Sequence, residues 1–207
     1  DPDAIIQEYG ADTARLFILF AAPPQKELEW NDSAVDGAFR FLKRFAQKSE
    51  NCFACDSIPH IQHDTLSKKA KYARKKVYEA LKKSNEIFEG SYTFNTLIAA
   101  CMEALNALCD QEDKAVWTEG YFVLLNLLEP IVPHLAWDMS ESLFGRVNLA
   151  PIEMKQEALQ SDTMVLAVTI NGKKRSEIEV PTSISQAEAL RLGKESAAKW
   201  LEGTTLL

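Results

Sequence analysis

No stretch of this 207-residue sequence approaches the ~18 consecutive apolar residues that a bilayer-spanning helix needs, and no basic-then-apolar signal segment opens it. Mean hydropathy is -0.18, so a soluble protein with no membrane partner is expected. Glycine is scarce, with eight residues, and none is arranged as a phosphate-cradling loop. Neither an ordered nucleophile–base pair nor a carboxylate dyad is present. No catalytic residue is therefore assigned, and no cofactor is expected to bind these residues. Only four cysteines occur, two of them (Cys101 and Cys109) inside an apolar helix pattern. That usage fits reduced thiols in the cytoplasm better than a disulfide scaffold.

What is present supports a core. Hydrophobic residues make up 46% of the chain, and the length suits one domain of ordinary size plus a smaller one. Asp1-Pro2-Asp3 reads as an internal helix start, with Asp1 as cap and Pro2 at the first helical position, so a piece of a longer protein is expected. The net charge of -7 argues at first against a nucleic-acid partner, but its distribution argues the other way. From Leu66 to Phe88 there are eight basic residues against Glu79 and Glu86. From Glu89 to Asp162 only Lys114, Arg146 and Lys155 face a dozen acids. The protein has a basic side and an acidic side, and local potential outweighs the sum.

Helical periodicity dominates the first three-quarters of the chain. A first helix is expected from about Ala4 to Ala21, with Gly10-Ala11-Asp12-Thr13 as a helix entry, ended by Pro23-Pro24. A second runs from about Ser33 to Lys48, with Val35, Ala38, Phe39, Leu42 and Phe45 on its inner face. Arg40 and Arg44 sit four apart and share its exposed face with Lys43 beside them. A long helix from about Thr65 to Glu89 places Leu66, Ala70, Ala73, Val77, Ala80, Leu81 and Phe88 inward, basic residues elsewhere, and Gly90 at its end. Ser91 or Thr93 then caps a helix with Phe94, Leu97, Ile98, Cys101, Met102, Leu105, Leu108 and Cys109 on its core face. Ala115 to Glu129 is apolar almost all round and reads as the central helix. After Pro130-Ile131-Val132-Pro133 a last helix, His134 to Phe144, turns Leu135, Trp137, Leu143 and Phe144 inward. His134 has no evident catalytic partner and is assigned a packing or capping role.

Cys52, Cys55, His60 and His63 form the one ligand-like cluster, Cys-x2-Cys-x4-His-x2-His, between two helices. The cysteine pair is spaced for a zinc knuckle, but the histidine pair is tighter than the usual gap. A polar surface loop is the preferred reading, and no metal is assigned.

The helical period is lost from about Ala150 to Asp162, which reads as a linker, and beyond it the period changes to two. Val165 to Ile170 is a strand, Asn171-Gly172 a tight turn, and Lys173-Lys174-Arg175 leads into a second strand that Pro181 stops. Ser185-Gln186-Ala187-Glu188 is a capping box opening a helix. A third strand would start at Leu206-Leu207. The small unit is expected to lean on the bundle or to be incomplete.

Several strings carry a resemblance. Gly10-Ala11-Asp12, followed by Arg15-Leu16-Phe17, resembles the segment after the catalytic signature loop of class I aminoacyl-tRNA synthetases. Its continuation to Leu28-Glu29-Trp30 resembles the leucyl-tRNA synthetases in particular. Tyr92-Thr93-Phe94-Asn95-Thr96 and Glu129-Pro130-Ile131-Val132-Pro133-His134 are similar to the anticodon-binding helical bundle shared by the Leu, Ile, Val and Met enzymes. Val168-Thr169-Ile170-Asn171-Gly172-Lys173-Lys174-Arg175 with Ile178 to Pro181 resembles the C-terminal domain of bacterial-type leucyl-tRNA synthetases, which reaches the tRNA elbow. The match departs where a Pro-Trp-Pro-like exit is replaced by Ala150-Pro151-Ile152.

The resemblance implies a mainly α fold: an antiparallel anticodon-binding-type bundle over residues 1–160, of which 1–30 connects to a catalytic core, and a truncated α+β unit (hairpin and helix) over 163–207. It implies a leucine-accepting tRNA as partner and a parent leucine–tRNA ligase using ATP and Mg²⁺ in a core this chain lacks, with the bundle of a valyl, isoleucyl or methionyl enzyme, or a helical protein-interaction module, as the alternatives; a monomer is expected. Gly37 to Arg44 matches a tRNA-contacting helix string of the leucyl enzymes apart from Phe39. The expected tRNA-binding residues are thus Arg40, Lys43, Arg44, Lys173, Lys174 and Arg175.

Overall fold

The computed structural model describes residues 2–21, 31–145 and 152–201. The expected Pro23-Pro24 turn, Leu28-Glu29-Trp30, Arg146, Ala150-Pro151 and the strand start at Leu206-Leu207 lie outside these residues. The chain divides into two compact units, residues 1–159 and 160–207.

Among the described residues the regular elements of the first unit are helices: α1 Pro2–Tyr9, α2 Ala11–Ala21, α3 Asp32–Gln47, α4 Lys68–Glu86, α5 Phe94–Cys109, α6 Lys114–Leu128, α7 Pro133–Phe144 and the short α8 Gln156–Leu159. The expected first helix is two, because Gly10 adopts φ +86°, a left-handed conformation that interrupts the hydrogen-bond ladder. The entry at Ala11 stands. Asn31 caps α3 through a bond from the Ala34 amide, and Ser67 caps α4 through one from Ala70. α6 starts at Asp113, whose carboxylate accepts from the Ala115 and Val116 amides. As its all-round apolarity predicts, α6 is buried from Val116 to Tyr121 and again at Val123, Leu124 and Leu125. Tyr121 stacks on Phe45 with ring centroids 4.6 Å apart, and its hydroxyl donates to the Phe45 carbonyl at 2.8 Å.

Several boundaries and orientations differ from the periodicity. α4 ends at Glu86, and the chain turns through a single wide π-type turn, Ile87–Ser91, before Tyr92 at φ +50°. Gly90 is near-extended and Tyr92 is the left-handed stop, so Phe88 swings out of the apolar stripe, 46% exposed, and meets Phe94 edge-on. Thr93 stands at the N-cap of α5, but its side chain makes no capping bond. On α3, Phe41 is buried, whereas Phe39 is half-buried, edge-on to Tyr9. Trp137 points outward, 55% exposed, where an inward position was expected; Ala136 and Phe144 do the burying on α7. The stretch after 150 is no free linker. Ala158 of α8 is fully buried, and Ile152, Met154 and Leu159 pack against the core.

Two polar clusters tie the helices together. In the first, Asp12 of α2 accepts from the backbone amides of His134 (3.4 Å) and Leu135 (2.7 Å) at the start of α7. The His134 ring nitrogen Nδ1 lies 2.9 Å from the same carboxylate. One turn on, Arg15 donates to the carbonyls of Ile131 and Pro130, both at 2.9 Å, just past the end of α6. A carboxylate on free amides and a guanidinium on free carbonyls is the pairing that helix dipoles favour. The partner that the sequence hid from His134 is therefore Asp12, and the pair acts as a helix cap.

In the second cluster Arg74, 3% exposed, pairs bidentately with Glu119 of α6 (2.7 and 3.0 Å). It also reaches Glu157 of α8 at 3.3 Å and His63 Nδ1 at 3.2 Å. Arg74 was expected on the basic surface of α4; the carboxylate of Glu119, itself buried, draws it inside. Burial first, then the charges of Arg74 and Lys71, lower the pKa of His63, so the ring is held neutral and Nδ1 accepts from the guanidinium.

The second unit has β1 Thr163–Ile170 and β2 Lys173–Pro181, antiparallel, then α9 Gln186–Ser196 and α10 Ala198–Leu201. Asn171 and Gly172, at φ +51° and +75°, make the tight turn. Ser185 accepts from the Glu188 amide, as the capping box requires. Register slips at Val168/Thr169, pairing Val168 with Ser176 and Thr169 with Lys174, so Arg175 is the extra, bulged residue.

Three outcomes follow. Asp12→Ala removes the cap of α7 and lowers unfolding free energy by about 1–2 kcal/mol in denaturant titration, whereas Asp12→Asn loses less. Arg74→Met strands a buried carboxylate and costs about 3–5 kcal/mol, much of it recovered in Arg74→Met/Glu119→Leu. The lowered His63 pKa contributes stability that is complete above the unfolded value of ~6.5 and is lost as pH falls through the folded value. Melting curves from pH 7.5 to 5 should show a steeper acid-side decline for the native chain than for His63→Gln.

Candidate nucleic-acid interface

α3 is amphipathic, and its buried Val35, Ala38, Leu42 and Phe45 leave Arg40, Lys43 and Arg44 outside. Arg40, its side chain 72% exposed, is held at 3.3 Å by Asp36 one turn before it. Lys43 places its ammonium 4.4 Å from the Phe39 ring centroid. Arg44 extends over α5 to within 3.5 Å of the Cys109 sulfur. These are weak tethers on water-exposed cations, each worth about 1 kcal/mol or less. The guanidiniums are positioned without being neutralised beyond what a phosphate could displace.

Arg40 and Arg44 also line an open groove of about 770 Å³ between α2, α3 and α5, with Phe17, Phe41, Met102 and Asn106 on its walls. The floor of this groove is apolar, and its charge is concentrated in the two guanidiniums at its edge.

α4 is less freely basic than its sequence. Beyond the buried Arg74, Lys76 meets Glu103 and Glu79, Lys75 meets Glu79, and Lys83 meets Glu86. Lys68, Lys69 and Lys82 make no ion pair among the described residues.

In the second unit, considered by itself, Lys173, Lys174 and Arg175 are all exposed at the hairpin tip. Lys174 forms a close ion pair with Glu177, and the bulge takes Arg175 out of the cross-strand pairing. The turn concentrates three cations over three successive residues.

The Cys/His loop is not gathered for a metal. Cys52 is directed at the Trp117 carbonyl (3.7 Å) and burial, with help from Cys55, pushes its thiol up to about 12. The Cys55 amide donates to Leu143, and His63 belongs to the Arg74 cluster. Among the described residues no group of three or more Cys, His, Asp or Glu could hold a metal ion. No helix among them is long and apolar enough to cross a membrane.

What the sequence reading missed is the supporting polar work of Asp12, Arg15 and Arg74. Each partner lies far along the chain, and only the isolated charges of Asp12 and Arg15 on an otherwise apolar helix hinted at it.

Comparison with known proteins bears on the family and the fold. Residues 70–190 match the family described as the anticodon-binding domain of tRNA ligase. The chain is 60% identical over 207 residues to a leucine–tRNA ligase of Campylobacter hominis, covering 100% of this chain and 26% of that protein. It is 58% identical over 210 residues to that of Helicobacter hepaticus, covering 100% and 25%. The chain thus spans about a quarter of the length of the curated relatives it matches. Among solved structures, the Agrobacterium radiobacter K84 agnB2 LeuRS, in a ternary complex with tRNA and LeuAMS, superposes with a TM-score of 0.82 at 23% identity, over 100% of this chain and 28% of that one. The apo methionyl-tRNA synthetase of Mycobacterium tuberculosis gives 0.50 at 16% identity, over 72% and 37%. At those identities the two structures speak for the fold alone. With more than half of its length matched by the family, a helical first unit and exposed cations on its surface, the chain belongs to the anticodon-binding domain family of tRNA ligases.

Proposed function

We propose that this chain is the tRNA-binding part of a leucyl-tRNA synthetase, with residues 1–160 as the bundle and 163–207 as part of the C-terminal domain. It positions a leucine-accepting tRNA for ATP-dependent attachment of leucine by a catalytic core outside the chain, in a cytoplasmic, monomeric enzyme. The observation that carries the reading is the row of exposed, weakly tethered cations on α3, Arg40, Lys43 and Arg44, joined to the 60% identity, over the whole of this chain, with a leucine–tRNA ligase of which it covers 26%. Lys173, Lys174 and Arg175 supply a second contact.

The mechanism is one of position. Guanidinium and ammonium groups neutralise phosphates and release counterions, and their fixed spacing on a rigid helix sets the register of the RNA. The sequence carries no glycine-rich phosphate loop, and we assign ATP and Mg²⁺ to the catalytic core of the parent enzyme.

The expected outcome is that Arg40→Ala and Arg44→Ala each weaken binding to leucine-accepting tRNA and each lower the slope of log affinity against log salt by about one. Thermal stability stays near that of the native chain, because both side chains are exposed. A slope unchanged in both variants would take these residues off the contact surface.

A further inference from the structure

Three helices of the first unit present polar side chains to one side. Arg44 of α3 leans on Cys109 of α5, and Met102 and Asn106 of α5 wall the groove that Arg40 and Arg44 edge. Glu103, beside Met102 on α5, is met from the other flank by Lys76 of α4 at 3.2 Å. The exposed ridge of α5 therefore runs between the cations of α3 and those of α4. α5 packs directly on α4, and it meets α3 across the groove with α2 bridging the two.

On that flank of α4, Lys69, Tyr72, Lys76 and Lys83 recur at helical spacing, while Ala73, Val77, Tyr78, Ala80 and Leu81 make the core face. Tyr72 is 54% exposed, and Lys76 lies 5.8 Å from its ring centroid. The Tyr72 ring thus stands about half in water beside the lysine row. Lys69 makes no ion pair among the described residues. Lys76 is held by exposed carboxylates, Glu79 and Glu103, and such pairs are readily exchanged for a phosphate. Aromatic rings beside cations are a recurrent seat for nucleic-acid backbone and bases.

We infer that α3, α5 and α4 form one continuous RNA surface, in which Lys69, Tyr72 and Lys76 take a second stretch of sugar-phosphate backbone beyond that held by Arg40 and Arg44. Lys76 leaves Glu103 for a phosphate on binding, and Tyr72 packs on a sugar or base. Glu103 is the acid that competes with the RNA for Lys76. The inference rests on the reading of the chain as a tRNA-binding unit, and its test separates the two.

Fluorescence anisotropy of a labelled leucine-accepting tRNA transcript is measured against salt for the native chain, Lys69→Ala/Lys76→Ala, Glu103→Gln, Tyr72→Ala and Arg40→Ala/Arg44→Ala, with circular dichroism on each. The lysine pair should lower the salt slope by about two, at 0.9 per phosphate. Glu103→Gln should tighten binding several-fold at low salt, an effect no loss of folding produces. Tyr72→Ala should weaken binding with the slope unchanged. A native slope in Lys69→Ala/Lys76→Ala, with native affinity in Glu103→Gln, overturns the α4 surface while a reduced slope in Arg40→Ala/Arg44→Ala leaves the tRNA reading standing. Failure of the native chain to bind the transcript overturns both.

Discussion

The first unit depends on one double contact. Asp12 holds the amides that open α7, and Arg15 holds the carbonyls that follow α6. The turn between those helices, Glu129 to Pro133, contains two prolines, so its own backbone cannot satisfy all of its free groups. α2 supplies the missing partners with charges of the right sign at each end. Because α2 also packs on α3 and α5, the clamp fixes where Arg40 and Arg44 stand relative to α6 and α7. The two strings that carry the family resemblance most visibly, Gly10-Ala11-Asp12 with Arg15 and Pro130 to His134, are thus partners in space. Their pairing gives each a structural role in this fold.

Charge is divided between scaffold and surface. A chain with a net charge of -7 binds a polyanion only if its cations are held apart from its acids. The buried Arg74–Glu119 pair spends one cation on joining α4, α6 and α8, and several lysines of α4 are balanced by neighbouring glutamates. On α3 the tethers are a lone exposed aspartate, an aromatic ring and a thiol. The strength of a basic run in the sequence is therefore a poor guide to potential. The run on α4 is partly balanced by its own glutamates, while Arg40, Lys43 and Arg44 of the shorter run on α3 stay exposed.

The helical architecture was legible because burial writes itself at a period of 3.6, and the hairpin because Asn171-Gly172 admits few other turns. α6 could be identified as central from its composition alone. What stayed hidden depended on partners distant in sequence. Arg74 looked like any other base of α4 until Glu119 is seen beneath it, and His134 lacked a partner until Asp12 is placed beside it. Trp137 and Phe88 misled in the opposite way, since large apolar side chains at core-like spacing remain in water. The stretch before β1 lost its period because α8 is a single turn, too short to show one, and it docks through Ala158 and Glu157. The resemblance pointed to Arg40, Lys43 and Arg44 on α3, and the structure leaves these side chains exposed.

The central claim is that this chain holds RNA by neutralising phosphates with a fixed set of exposed cations. The measurement that tests it most directly is the affinity of the chain for a leucine-accepting tRNA and for an unrelated tRNA over a range of salt concentrations. If the six cations of α3 and the hairpin each neutralise one phosphate, log affinity falls against log salt with a slope of roughly -5 for the leucine-accepting tRNA, and a preference for it survives at the higher salt. Binding that is indifferent to salt, or no binding to either RNA, would contradict the account.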